Sequence, residues 1–279
     1  MMQARNITLR LGGRDILKEV SCRVRPGRVT VIMGKNGAGK STLLNCMAGS
    51  LGADAGAVYL DGQSLQELSP EELSRRRAVL AQSYSLGFPI SVAEVVEMGC
   101  YGRYYSYTAR ERKNLVREYL QLLDLEPFAH RAFPTLSGGE QKRVMLAKCL
   151  LQLDEGQEDA PKHRYLLLDE PTAALDVEQQ FRFVDLATKL ARQRGLGVLA
   201  VLHDLNIAAR FADEILFLRE GQTVTMGPTK ELLNKKTIKA TFDVDCLIQD
   251  HPYFGGPLIT TLPYGASIIR STPTTESVA

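Results

Sequence analysis

The chain reads as an α/β fold, a parallel sheet covered by helices with a helical subdomain inserted into it. Three observations predict this. The apolar runs Val29-Thr-Val-Ile-Met33, Tyr165-Leu-Leu-Leu168 and Val198-Leu-Ala-Val-Leu202 are of strand length and continuous, as in strands buried on both faces. A glycine-rich segment follows the first run and leads into a helical pattern. The middle of the chain repeats the residue spacing that starts helices.

Taken in order, Val29–Met33 ends in glycine. From Lys40 onward, Leu43, Leu44, Met47 and Ala48 fall on one side of a helix. Ser69-Pro70-Glu71-Glu72 supplies a cap, a proline at the first helical position and a glutamate at the third. Ser91-Val-Ala-Glu94 and Thr108-Ala-Arg-Glu111 repeat the capping spacing, and Leu115, Val116, Tyr119, Leu120 and Leu123 then form a helical stripe. Residues 87–162 are therefore expected to form a helical subdomain within a domain spanning 1–265. The polar end, 266–279, is expected to be a flexible tail.

Composition excludes several classes. Of 279 residues, 44% are hydrophobic and 24% charged, which is ordinary globular usage and not that of a disordered, collagenous or disulfide-stapled chain. The 34 basic residues balance 32 acidic ones, so no global field argues for nucleic acid or an anionic membrane. No apolar stretch approaches the roughly 18 residues of a membrane span, and no secretory leader is expected from the start MMQARNITLRLGG. A soluble chain is expected. The five cysteines are scattered without a C-x-x-C pair and read as buried thiols.

The chemistry begins at Gly34-Lys35-Asn36-Gly37-Ala38-Gly39-Lys40-Ser41, which matches G-x-x-x-x-G-K-[ST] between a strand and a helix. Glycines let successive N–H groups curl around phosphate oxygens, and the helix start adds positive charge. Lys40 is expected to reach the terminal phosphates, Ser41 to ligate Mg²⁺ and Thr42 to contact a phosphate. Downstream, a buried strand ends in Asp169-Glu170-Pro171. Because side chains alternate along a strand, the two carboxylates are expected to point differently. Asp169 fits a Mg²⁺-associated role, and Glu170 fits a base that orients a water. Leu136-Ser137-Gly138-Gly139-Glu140-Gln141 has capping spacing and two glycines that expose backbone donors at a positive helix end.

These segments, which follow one another along the chain as phosphate loop, Leu136–Gln141 and acidic strand end, resemble the ATP-binding subunits of the ABC transporter family, whose signature is LSGGQ or LSGGE. The resemblance runs over most of the chain. Gln82 lies where the family carries its Q-loop glutamine, Ala174-Leu175-Asp176 resembles the D-loop, and His203 resembles the switch histidine. It implies a P-loop NTPase (RecA-like) core with an antiparallel β part near the N-terminus. It also implies ATP and Mg²⁺ as ligands, with Gln82 joining Ser41 and Asp169 near the metal. His203 would bond the γ-phosphate. In this family two copies pair head to tail, so a homodimer is implied in which Ser137, Gly138, Gly139 and Asp176 serve the ATP of the other copy. The chain would sit peripherally on the cytoplasmic face of the inner membrane, docked through its helical side on polytopic permease subunits. A periplasmic or surface binding protein would act indirectly, and no nucleic acid is expected.

One departure is the segment Leu9-Arg10-Leu11-Gly12-Gly13-Arg14, which lacks the aromatic that commonly stacks on adenine in the family. An aliphatic or arginine contact could substitute. Phe88-Pro89-Ile90-Ser91 through Gly99 resembles importers of iron chelates, haem and cobalamin. The acidic linker Asp154-Glu155-Gly156-Gln157-Glu158-Asp159 resembles that of the haem (hemin) importer ATPase family, HmuV-like. Haem is thus favoured as cargo over a ferric siderophore or cobalamin. Soluble relatives serving DNA repair or the ribosome usually carry coiled-coil insertions or two motors per chain, and neither is present. A scaffold ATPase for iron–sulfur assembly stays open, distinguished by having no membrane partner. A non-hydrolysing module is disfavoured by intact Lys40, Asp169, Glu170 and His203. Arg75-Arg76-Arg77 reads as a solvated helix face, and His130, His163 and His251 as surface or packing residues. Tyr101, Tyr104, Tyr105 and Tyr107 read equally as a contact surface or ordinary packing.

Overall fold

A computed structural model describes residues 1–83, 88–154, 161–173, 175–253 and 255–262. Most of the acidic linker, Ala174 and the whole of 266–279 lie outside the described residues, as does the side chain of Tyr105.

The first sheet is antiparallel. It contains β1 (Met2–Leu11), β2 (Arg14–Val24), β4 (Ala55–Leu60) and β5 (Gln63–Ser64) in the order β2-β1-β4-β5. The second holds six strands in the order β10-β9-β3-β8-β7-β6. These are β3 (Val29–Met33), β6 (Arg77–Leu80), β7 (Tyr165–Leu168), β8 (Gly197–Val201), β9 (Glu214–Arg219) and β10 (Gln222–Pro228). All its pairings are parallel except that of the edge strand β10 with β9. Strands β3, β7 and β8 are buried at every residue, which accounts for their unbroken apolarity. Val31, Leu166 and Val198 face one core cluster, while Ile32, Leu167 and Leu199 face another. The second cluster lies between the two sheets and takes in α1 (Lys40–Ala48).

Between β6 and β7 the chain runs through α3 (Val92–Glu97), α4 (Ala109–Leu122) and α5 (Gly138–Gln152). Val95, Val116, Tyr119, Leu120, Val144 and Ala147 pack these helices into the first cluster. The capping boxes at Ser91, Thr108 and Ser137 all close, as does that of Ser69 on α2 (Pro70–Arg76). Of the expected 87–162 insertion, residue 87 and residues 155–160 lie outside the described residues. Asp154 is not a free surface acid: it accepts from the Tyr119 hydroxyl at 2.7 Å and lies 3.9 Å from Arg194.

The rest of the chain comprises α6 (Val177–Gln193), α7 (Leu205–Phe211), α8 (Thr229–Leu232), α9 (Lys235–Phe242) and a hairpin of β11 (Cys246–Asp250) with β12 (Pro257–Thr261). Asn206 of α7 holds the hairpin by exchanging two bonds with the Ile259 main chain, at 3.1 and 2.8 Å. All five cysteines are buried thiols. No described helix is long and apolar enough to cross a membrane.

One expectation fails here. The Arg75–Arg77 run is not a single solvated helix face, because α2 stops at Arg76 and Arg77 opens β6. Its Nε donates to the Ala48 carbonyl at 2.6 Å, which caps the end of α1 with a cation.

Candidate active site

Parallel strand order determines where the site lies. β3, β8, β7 and β6 are neighbours with a common direction, so the residues just beyond their carboxyl ends gather at one edge. The phosphate loop comes after β3, His203 after β8, Asp169 and Glu170 after β7, and Gln82 after β6. They meet in an open cavity of about 690 Å³ lined by Ile16, Asn36, Gly37, Gly39, Lys40, Ser41, Thr42, Gln82, Glu170 and His203.

Gly39 precedes α1 at φ 94°, and no side chain caps that helix start, so its first N–H groups remain free to bind an anion. A Cβ on Gly39 would lie 2.8 Å from Leu17 Cδ2 and 2.9 Å from the Ile16 carbonyl, so only glycine fits. The Lys40 side chain folds back along the loop. Its Nζ donates to the carbonyls of Gly34 and Lys35, both at 3.0 Å. Burial holds this ammonium below its ordinary pKa, and the nearby Glu170 and Asp169 charges oppose that effect.

The Ser41 hydroxyl donates to Asp169 Oδ1 at 2.7 Å. Asp169 is buried, which pushes its carboxyl above the usual carboxylate range. The Ser41 bond pulls the other way, and the Glu170 charge adds to the rise. A hydroxyl and a desolvated carboxylate side by side are hard oxygen donors that a small divalent cation would satisfy. The pair therefore fits Mg²⁺.

Glu170 does not owe its direction to strand alternation, as expected from the sequence. β7 ends at Leu168, and Glu170 has a left-handed backbone at φ 45°. That left-handed backbone, which costs a residue with a side chain roughly 1–3 kcal/mol, gives the carboxylate a direction that alternation along β7 does not set. Oε2 then accepts from Gln82 Nε2 at 2.6 Å, and Oε1 lies 2.8 Å from His203 Nε2. Gln82 thus stands on Glu170 rather than on the Ser41–Asp169 pair. Asp204, next to His203, caps α7 by accepting from Asn206 and Ile207 N–H groups, which fixes where that helix begins.

Ser137, Gly138, Gly139 and Asp176 do not reach this cavity. Ser137 and Gly138 are exposed at the start of α5, and Gly139 and Asp176 line a different cavity of about 350 Å³. The Gln179 amide of α6 covers Gly139 so closely that a Cβ there would lie 2.6 Å from Gln179 Oε1. The glycine thus lets α6 approach the signature helix.

The family model described as "ABC transporter" matches residues 17–173. The chain belongs to the ABC transporter family. The Hemin import ATP-binding protein HmuV of Shewanella denitrificans is 43% identical over 245 residues, covering 88% of this chain and 94% of that relative. The protein of the same name from Gloeobacter violaceus is 39% identical, covering 96% of each chain. Among solved structures, a metal-chelate type ABC transporter in an inward-facing conformation shares the fold with a TM-score of 0.79 at 22% identity, covering 94% of this chain and 97% of that one. A dimeric ATP-binding cassette in a post-hydrolysis state, bound to ADP and Pi, is similar at a TM-score of 0.71 and 29% identity, covering 82% and 99%.

Within this ABC ATPase fold, two residues at the site are not legible as site residues in the sequence. Ile16 of β2 supplies apolar surface to the cavity wall, and Leu11, near which the family resemblance implies an aromatic, is not among the lining residues. Lys142 is buried in α5, although its place on one helix face with Leu146 and Leu150 is a usable signal. Of the tyrosines, Tyr101 is almost fully exposed, and Tyr104 stacks with Arg112 at 3.9 Å from ring centre to guanidinium.

Proposed function

We propose that this chain is the ATP-hydrolysing subunit of a haem importer and that two copies share two ATP sites head to tail. One observation carries the pairing. The phosphate-loop cavity collects Lys40, Ser41, Gln82, Glu170 and His203 in one chain, but Ser137, Gly139 and Asp176 of that chain lie elsewhere. A second copy supplies them if its signature helix faces the cavity. The dimeric relative bound to ADP and Pi supports this reading, and the relatives named for hemin import support the cargo.

In this reading the loop Gly34, Lys35, Asn36, Gly37, Ala38, Gly39, Lys40 and Ser41 cradles the phosphates, with Lys40 and Thr42 reaching the terminal ones. Ile16 packs against the base. Ser41 and Asp169 would hold Mg²⁺, with Gln82 close by, and a bound ion would supply positive charge to the phosphate oxygens. Glu170 takes a proton from the attacking water. Its carboxylate has further lone pairs besides those used by Gln82 and His203. His203 bonds the γ-phosphate and keeps the water in line. Ser137, Gly138 and Gly139 of the second copy donate to the γ-phosphate, and its Asp176 borders the site. Closure excludes water and completes the donor set, which couples hydrolysis to movement.

The chain would sit peripherally on the cytoplasmic face of the inner membrane, against polytopic permease subunits, with a binding protein acting beyond them. Exposed Phe88, Met98, Tyr101 and Tyr104 give its helical side an apolar surface for that contact.

Two inactive variants test the pairing. Lys40→Ala and Ser137→Ala should each be nearly inactive alone. Mixed after dissociation and reassembly, they should regain turnover, because each mixed dimer holds one intact site. No recovery on mixing would mean that each chain works alone. A deletion strain should lose growth on hemin but not on a ferric siderophore or cobalamin, and the opposite pattern would reassign the cargo.

A further inference from the structure

Lys142 takes no part in the steps above, yet it is only 7% exposed. It lies in α5 within the turns after Ser137, and its ammonium reaches main-chain oxygens on the opposite element. Nζ donates to the Pro171 carbonyl at 2.8 Å, to the Ala173 carbonyl, and more distantly to the Glu170 carbonyl at 3.4 Å. These three carbonyls belong to the turn that leaves β7. That turn begins with Glu170 at φ 45° and closes on itself through the Ala173 N–H to Glu170 carbonyl bond at 3.1 Å. A left-handed residue with a side chain persists only where its surroundings over-determine it. Besides Gln82 and His203 at its carboxylate, the surroundings here include one buried cation collecting the carbonyls of the turn. A charged donor at buried acceptors is strong, and its removal leaves them unsatisfied.

We propose that Lys142 is a positioning residue for Glu170. It clamps the turn so that the carboxylate stays between Gln82 and His203, and it ties that placement to the helix whose cap is Ser137. A shift of the α5 start on meeting the ATP of a second copy would therefore pass through Lys142 to the base of its own site. The inference deepens the reading of Glu170 as the base and rests on it.

The test is steady-state ATPase kinetics of the full chain as Lys142→Met, Lys142→Arg and Lys142→Gln, with ATP affinity measured separately. Lys142→Met keeps length and loses every donor. Its kcat should fall ten- to a hundredfold, the usual cost of a small misplacement of a catalytic group, with KM and ATP Kd within about twofold of the parent. Lys142→Arg should recover most of the rate. Lys142→Gln, which keeps one amide donor, replaces Met in the comparison if Met abolishes folding.

The decisive variant joins Lys142→Met to Glu170→Gln. With no base left to misplace, the double variant should retain the residual rate of Glu170→Gln alone. An unchanged kcat in Lys142→Met overturns the proposal. So does a loss that multiplies in the double variant, or an equal loss of ATP affinity. Full turnover in Glu170→Gln by itself would instead sink the underlying assignment of the base.

Discussion

Glu170→Gln should slow ATP turnover by about 10²–10⁴-fold, the usual contribution of a general base, while ATP binding stays near the parent level. The substitution is nearly isosteric. An amide can still meet Gln82 and His203 where the carboxylate now does, at 2.6 and 2.8 Å. It cannot take a proton from water. The groups proposed to hold the phosphates, Lys40 and Ser41, keep their own bonds to Gly34, Lys35 and Asp169. Binding and chemistry should therefore separate. With ATP and Mg²⁺ the variant should accumulate as a stable dimer on size-exclusion chromatography, because the closed state forms and is not discharged. Turnover within tenfold of the parent would remove Glu170 from its role and leave the dyad with His203 as a structural contact.

Lys40→Ala should act at the opposite end of the cycle. A charge-assisted bond to phosphate contributes about 1.5–3 kcal/mol. Its loss corresponds to roughly 10- to 100-fold weaker ATP binding by titration calorimetry. The cost to the fold should be small. Removing a buried ammonium relieves the desolvation that already lowers its pKa, and this offsets the lost bonds to the Gly34 and Lys35 carbonyls. A thermal midpoint near that of the parent combined with weakened ATP affinity is the expected pair of results. Unchanged affinity would count against the phosphate-loop assignment, whatever the effect on turnover.

The two variants differ because the site is built from two kinds of sequence signal. The phosphate loop is contiguous. Its strand, glycines, lysine and hydroxyl succeed one another, and local backbone geometry alone makes a pocket for phosphate. The carboxylate end is assembled across the chain. Ser41 and Asp169 are separated by 128 positions, and Gln82 and Glu170 by 88. Their residue types can be picked out in the sequence because each comes after a buried apolar strand or fits a family pattern. Their mutual geometry cannot.

Residue order alone marks the fully buried strands and the capped helices. Continuous apolar runs of this length fit strands covered on both sides, and S/T-x-x-E spacings close where they stand because a cap needs only its own helix. The same order picks out the phosphate loop, Asp169, Glu170 and His203 through their place after strands, whereas Gln82 comes only from the family resemblance. Long-range packing settles everything else. Parallel strand order brings four strand ends to one edge, and a left-handed turn aims Glu170. Ile16 reaches the pocket from the other sheet, Arg77 leaves the helix for a strand, and Lys142 is buried against carbonyls nearly thirty positions away. Each of these depends on which surfaces pack together. Such packing is a property of the whole core, and no local stretch of residues can encode it.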